Sequence, residues 1–232
     1  MQTGDAPAGN DSPVAARARF GNARLCVLIT EALCRKGWLE TAEAALAGGA
    51  DVLQLREKEL PDRELLRRAR RLASLCYSRN ALLIVNDRPD LAVLSHADGV
   101  HLGQDDLAVG EARRIVSSAM LVGVSTHTGD QVRAAVRAAP DYIAVGPMFA
   151  SGTKVQDHIA GPSTLAVARR ATSLPLAAIG GIGSDNARAV LAAAVCCVCV
   201  CGAVISQPDP QAAAAALRFV IDEACGAGLA DK

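Results

Sequence analysis

Aromatic residues are scarce in this 232-residue chain, at 3%. That leaves little from which to build a base-stacking surface for single-stranded nucleic acid. Excess charge of either sign is also absent, since 24 Lys and Arg balance 24 Asp and Glu. A chain with zero formal net charge offers no general field for polyanions. No apolar run reaches the roughly 18 residues of a membrane span. The longest candidate, Val190 to Ile205, is interrupted by Gly202 and fits a helix end followed by a strand. Neither nucleic acid nor a membrane is therefore expected as a partner. Met1 to Phe20 has neither the basic start nor the apolar middle of a signal peptide. Arg17 and Arg19 would suit an organelle-transit segment, but Asp5 and Asp11 count against it. Residues 1–23 are rich in Ala, Gly, Asp and Arg without periodicity and read as a short disordered tail.

Cysteine is the residue present in unusual number. Four of the eight fall in "VCCVCVC", Val195 to Cys201. Cys197, Cys199 and Cys201 would share one strand face, with neighbouring Cα atoms roughly 6.8 Å apart, at the edge of disulfide reach. Cys196 and Cys199 form a C-x-x-C pair, but no second pair or ligand-spaced histidine accompanies it. These residues read as small hydrophobes of a buried strand, which suits a reducing compartment and a cytoplasmic protein.

From Leu25 onward, short apolar runs alternate with helical patterns. The runs begin at Leu25, Asp51, Leu82, Asp98, Leu121, Tyr142, Pro175 and Val195. They carry Val, Ile and Leu on both faces, as buried parallel strands do. Helical spacing is clearest over Asp62 to Leu75, where Leu65, Leu66, Ala69, Leu72 and Ala73 line one side. Eight strand–helix units over 24–228 predict a single (β/α)8 barrel of the TIM type. An open doubly wound sheet is the alternative, but no G-x-G-x-x-G follows the first strand.

In such a barrel the active site sits at the C-terminal strand ends. Those ends are polar here: Gln54, Arg56 and Lys58 on strand two, Asn86 and Asp87 on strand three, "GQDD" from Gly103 after strand four. Ser125, Thr126 and His127 end strand five, "GPMFASGTK" from Gly146 to Lys154 follows strand six, and Gly180–Gly181 and Cys201–Gly202 end the last two. Arg56, Lys58 and Lys154 supply positive charge for an anion, Arg56 with a donor fork. Asp87 and Asp106 are hard oxygen ligands of the kind Mg²⁺ takes alongside substrate phosphates. A diphosphate with a divalent ion reconciles the two charge sets. Ser151, Gly152 and Thr153, with Gly181 and Gly202, suggest a second, metal-free phosphate site built on backbone N–H groups. His127 is open to two readings, a general base or a hydrogen-bonded packing residue. His96, His101, His158 and Trp38 carry no functional reading.

Six segments then resemble one family. "QLREK" (Gln54 to Lys58), "VNDRPDLA" (from Val85), "DGVHLGQDDL" (from Asp98), "GVSTHT" (from Gly123), "GPMFASGTK" and "AIGGI" (from Ala178) are similar to thiamine-phosphate synthase, in the same order and spacing. The resemblance covers about Leu25 to Ala224. It implies the joining of 4-amino-2-methyl-5-(diphosphooxymethyl)pyrimidine to a thiazole phosphate, with pyrophosphate released. On that resemblance Gln54, Leu55, Arg56, Glu57, Lys58, Asn86, Ser125 and Lys154 hold the pyrimidine diphosphate. Arg56, Lys58, Lys154 and Ser125 carry the catalysis, and Asp87 and Asp106 hold Mg²⁺. Ser151, Gly152, Thr153, Gly181, Cys201 and Gly202 hold the thiazole phosphate. The family commonly pairs, so a homodimer is implied as well. Cys201–Gly202 departs from the small hydroxyl or aliphatic pair usual there, and Ser151 stands where threonine is common. Two rivals remain: a thiazole tautomerase, which would use His127 and not need the carboxylates, and a non-catalytic paralogue that only binds precursors. Retention of Asp87, Gln104 and Asp106 favours the synthase.

Overall fold

The computed structural model describes residues 13–151, 159–192 and 195–230. Eight parallel strands close into a barrel in sequence order: β1 Leu25–Ile29, β2 Val52–Leu55, β3 Leu82–Asn86, β4 Gly99–Leu102, β5 Leu121–Thr126, β6 Tyr142–Val145, β7 Leu176–Ile179 and β8 Cys197–Val200. β8 returns to β1 with Leu25 opposite Val198 and Cys26 opposite Cys199. This is the (β/α)8 architecture that the alternating runs predict. No helix among the described residues is long and apolar enough to cross a membrane.

The connecting helices are α2 (Trp38–Ala47), α3 (Asp62–Ser78), α4 (Pro89–Ser95), α5 (Val109–Ala112), α6 (Gly129–Ala138), α7 (Gly161–Ala171), α8 (Ala187–Leu191), α9 (Gly202–Ile205) and α10 (Pro210–Ala230). Strand alternation divides the core in two. One half, including Val27, Leu53, Leu83, Val100, Val122, Ile143 and Val198, faces the helices and packs on residues such as Leu65, Leu72, Leu165 and Leu217. The other half fills the lumen: Cys26, Val52, Leu82, Leu121, Tyr142, Ala177, Cys197 and Cys199. Lumen space is so limited that a Cβ on Gly123, opposite Tyr142 in the β5–β6 register, would run into the Tyr142 ring. All eight cysteines carry free thiols.

The expected tail does not extend to residue 23. Residues 1–12 lie outside the described residues, but Pro13–Asn22 form a helix, α1, across the N-terminal end of the barrel. Ala16 and Phe20 are buried there, and the Phe20 ring stacks on Tyr142 with centroids 3.9 Å apart. Small residues gave no clear helical stripe in the sequence, so the two side chains that anchor α1 were not separable from a polar arm. Arg17 pairs with buried Asp141, which also receives Arg113.

Asp141 belongs to a repeat. Asp51, Asp98 and Asp141 each immediately precede an even-numbered strand, and each carboxylate accepts a backbone N–H of the strand before. The donors are Arg24 and Leu25 to Asp51 at 2.7 and 3.1 Å, Leu83 to Asp98 at 2.8 Å, and Val122 to Asp141 at 2.7 Å. Strand starts that lack a ladder partner are satisfied in this way. At the fourth equivalent position stands Cys196, whose thiol instead donates to Leu176 O at 3.3 Å.

Phe20→Ala should remove the stack on Tyr142 and open the barrel floor. Large-to-small changes of this kind cost about 3 kcal/mol or more. Urea unfolding should show a lowered midpoint; an unchanged midpoint would mean that α1 does not close the barrel.

Candidate active site

The C-terminal end of the barrel opens into a cavity of about 440 Å³, within the range of small-molecule sites. Gln54, Arg56, Asn86, Ser125, Ser151, Gly181, Cys201 and Gly202 all line it, as do His101 and His127. Side chains from separate strands therefore reach one space, as the polar strand ends require. Gly152, Thr153 and Lys154 lie outside the described residues.

Two residues of the "QLREK" run are placed elsewhere. The Leu55 side chain packs with the outer core, 1% exposed, because it alternates with lumen-facing Gln54. Glu57 turns to the outer side of the rim. Its carboxylate accepts the Glu31 N–H at 2.7 Å and pairs with Arg68 at 3.3 Å. Arg68, itself buried, also binds Glu31 and Glu64 and lies over the Trp38 ring at 5.0 Å. Neither the Leu55 nor the Glu57 side chain is brought into the cavity, and the sequence run alone could not separate them from their neighbours.

Arg56 stands where the cavity meets a shallower depression lined by Thr30, Glu31, Glu57 and Lys58. Its own backbone is fixed on both sides, by N–H donation to Ile29 O at 2.9 Å and by the Thr30 hydroxyl on its carbonyl at 2.7 Å. Lys58 approaches Asp87 at 3.4 Å, while its own side chain stays half exposed. Asp87 sits in the left-handed region at φ 63°, a conformation that Asp tolerates better than most residues. Its carboxyl is pushed above the usual range by burial and by neighbouring Asp106, against the pull of Lys58. Asp106 Oδ2 accepts the Gly103 N–H at 2.6 Å, a bond that holds the "GQDD" turn. Among the described residues no cluster of three or more His, Cys, Asp or Glu forms a cage for a metal. Neither Asp87 nor Asp106 lines the cavity itself, but Asp87 directly follows Asn86, which does, and two neighbouring carboxylates fit a hard cation that keeps waters and substrate phosphates as its other ligands.

The glycines at the β7 end have a steric basis. Gly181 lies at φ 67°, and a Cβ there would come within 2.6 Å of the Phe149 and Ala150 carbonyls. The turn closes through Asn186, which donates to Gly181 O at 2.9 Å and accepts the Gly183 N–H at 2.9 Å. Cys201 is half-buried at the β8 end. Burial pushes its thiol up to about 11, against the pull of Arg56, so it meets a ligand uncharged.

Both cavity histidines are held by hydrogen bonds. His127 Nδ1 donates to Gly146 O at 2.6 Å, since a carbonyl can only accept. His101 was not separable from strand packing in the sequence. It is buried, with Nε2 2.8 Å from Ser125 Oγ and Nδ1 3.0 Å from the Tyr142 hydroxyl. Its place on β4, two residues before the polar turn and on the lumen face, was the available signal. Burial, opposed by Asp106, pushes its pKa down to about 4. Gln104 donates to Ser125 O at 2.6 Å, which pins the same serine from the rim side.

A family model described as thiamine monophosphate synthase matches residues 25–204. The chain is 47% identical over 200 residues to a thiamine-phosphate synthase of Methanoculleus marisnigri, covering 82% of this chain and 92% of that one. It is 44% identical over 200 residues to the enzyme of the same name from Synechococcus sp., but spans only 56% of that longer protein. Among solved structures, a thiamine phosphate pyrophosphorylase from Pyrococcus furiosus superposes with a TM-score of 0.82 at 31% identity, over 89% of this chain and 98% of that one. A 3-hexulose-6-phosphate synthase from Salmonella typhimurium, with a TM-score of 0.69 at 14% identity, shares the fold alone.

A histidine kept neutral in the folded protein contributes stability that is present above the unfolded pKa near 6.5 and lost as pH falls toward 4. Between pH 7 and pH 4 the native chain should therefore lose about 3 kcal/mol more stability than His101→Gln. Urea unfolding across that window measures the difference; parallel pH profiles would mean that His101 is not buried neutral.

Proposed function

The chain belongs to the thiamine monophosphate synthase family, a family of transferases, and we propose that it joins a pyrimidine-methyl diphosphate to a thiazole phosphate with Mg²⁺ assistance. The observation that supports this reading is the convergence of strand-end side chains, Gln54, Arg56, Asn86 and Ser125 among them, on one cavity, with Lys58 3.4 Å from Asp87 nearby in the chain. In the proposed reaction the bond from the pyrimidine methylene carbon to the diphosphate oxygen breaks, and its electron pair leaves with the diphosphate. The pyrimidine-methyl cation is stabilised by its ring amino group. The thiazole nitrogen lone pair then forms the new carbon–nitrogen bond.

This chemistry needs charge stabilisation and placement rather than a covalent nucleophile. Arg56, Lys58 and Lys154 bind the diphosphate and take up charge as it gathers on the leaving group. Gln54, Asn86 and Ser125 orient the pyrimidine from the cavity wall. Ser151 to Thr153, with Gly181, Cys201 and Gly202, receive the thiazole phosphate, and neutral Cys201 adds no repulsion there. Asp87 and Asp106 would hold Mg²⁺. A divalent ion supplies the neutralisation of a leaving diphosphate that two carboxylates by themselves cannot give. Leu55 and Glu57 support the rim from outside and take no part through their side chains. A cytoplasmic location, suited to the free thiols, and a homodimer, as the resemblance implies, complete the proposal.

Mixing both precursors with the purified protein should release pyrophosphate in the presence of Mg²⁺ and not after chelation. Asp87→Ala should abolish this metal-dependent turnover while circular dichroism stays unchanged; normal turnover would remove Asp87 from the metal site. Arg56→Ala should lower kcat/KM for the pyrimidine diphosphate about a hundredfold, the size of effect expected for a lost charge-stabilising donor. Arg70→Ala, whose exposed guanidinium donates to Leu94 O, should match the native enzyme. Equal effects of the two would place Arg56 outside the reaction.

A further inference from the structure

A chain of three side chains runs from the barrel floor to the cavity. The Tyr142 hydroxyl lies 3.0 Å from His101 Nδ1, and His101 Nε2 lies 2.8 Å from Ser125 Oγ. Tyr142 and His101 are both buried, 2% and 5% exposed, so their hydrogen bonds must be met by protein. Each ring nitrogen meets one hydroxyl. A doubly protonated ring would force the Tyr142 phenol to accept and leave its own hydrogen unplaced, so the imidazole is neutral. It therefore carries one N–H, and the question is which nitrogen holds it.

Tyr142 decides. Around its ring stand Phe20, Cys26, Cys197 and Cys199, and among the described residues the phenol has one hydrogen-bond partner, His101 Nδ1. If Nδ1 carried the proton, the phenol hydrogen would face at best the weak sulfur acceptors of the surrounding thiols. That loss is avoided when the phenol donates to Nδ1. The imidazole proton then sits on Nε2 and is donated to Ser125 Oγ. With one lone pair so occupied, the serine is free to aim its own hydrogen into the cavity. The Gln104 bond to Ser125 O, at 2.6 Å, keeps the serine backbone in place while it does so.

We propose that Tyr142 and His101 are positioning residues that fix Ser125 as a hydrogen-bond donor toward the bound pyrimidine substrate. The Ser125 hydrogen then has an acceptor to meet, a ring nitrogen or a diphosphate oxygen of the substrate. The inference rests on the synthase reading for the identity of the ligand, but the direction of the relay rests on the protein alone.

Two measurements test it. Nitrogen-15 spectra of histidine-labelled native protein at neutral pH, with His101 assigned by its loss in His101→Gln, should report the Nε2–H tautomer. An Nδ1–H tautomer would overturn the relay. In kinetics, Tyr142→Phe should lower kcat/KM for the pyrimidine diphosphate about tenfold and leave KM for the thiazole phosphate unchanged. Ser125→Ala should then add little on the Tyr142→Phe background, because the serine has already lost its fixed polarity. Fully additive losses would refute the coupling. If Tyr142→Phe fails to fold, the tautomer of the native protein still decides. If the native protein releases no pyrophosphate, the synthase reading fails while the tautomer result stands on its own.

Discussion

Strand alternation in a closed barrel is the constraint on which the rest of this structure depends. With no sheet edge to relieve crowding, every strand residue goes either to the lumen or to the helix layer. The lumen is then divided along its length. Its N-terminal half is filled by Val52, Leu82, Leu121, Ala177 and Cys197, with α1 as its floor. Its C-terminal half is left to Gln54, Asn86, His101 and Ser125. The same rule that brings Gln54 inward sends Leu55 outward. A polar residue at a strand end is thus a cavity residue or a rim residue according to its parity.

At the rim the free protein keeps charges that do not fully cancel. Asp87 is raised by burial and by Asp106, and Lys58 offsets only part of this from an exposed position. By contrast, Glu57 is settled by Arg68 and the Glu31 N–H, and Asp141 by two arginines and the Val122 N–H. Glu57 and Asp141 are thus saturated by their partners, and Asp87 is not. Strain coincides with Asp87, which is one of four non-glycine residues with positive φ among the described residues. Incomplete compensation together with backbone strain is the signature of a place kept ready for a ligand.

The sequence made the barrel legible because eight apolar runs at regular spacing leave few other topologies. It made the rim legible because polar residues at the ends of otherwise apolar strands have no structural explanation of their own. It did not separate Leu55 and Glu57 from the run that contains them, since a motif names consecutive residues and a strand sorts them by face. It hid α1, whose two anchoring side chains, Ala16 and Phe20, lie in a stretch dominated by small and charged residues. The acids at Asp51, Asp98 and Asp141 were visible as an Ala-Asp or Pro-Asp step before alternate strands. Their purpose emerges only when the preceding strand's N–H groups are seen to lack other partners. His101 was hidden for a similar reason, because its two partners lie 24 and 41 residues away.

Those long-range partners join the two ends of the barrel. Phe20 of α1 stacks on the Tyr142 ring, the Tyr142 hydroxyl meets His101, and His101 meets Ser125 at the cavity wall. The stack limits how far the phenol can tilt, and the absent side chain at Gly123 gives the ring the room it needs. Apolar packing at the floor therefore bears on the direction of a hydrogen bond at the site. In a lumen this narrow, a polar group between the plug and the cavity must have each of its hydrogens and lone pairs accounted for. The small thiols of Cys26, Cys197 and Cys199 suit this level of the barrel because they fill space beside Tyr142 without competing strongly for its proton. The cysteine-rich last strand, which reads in the sequence as small hydrophobes of a buried strand, packs in the fold beside that hydrogen-bond path.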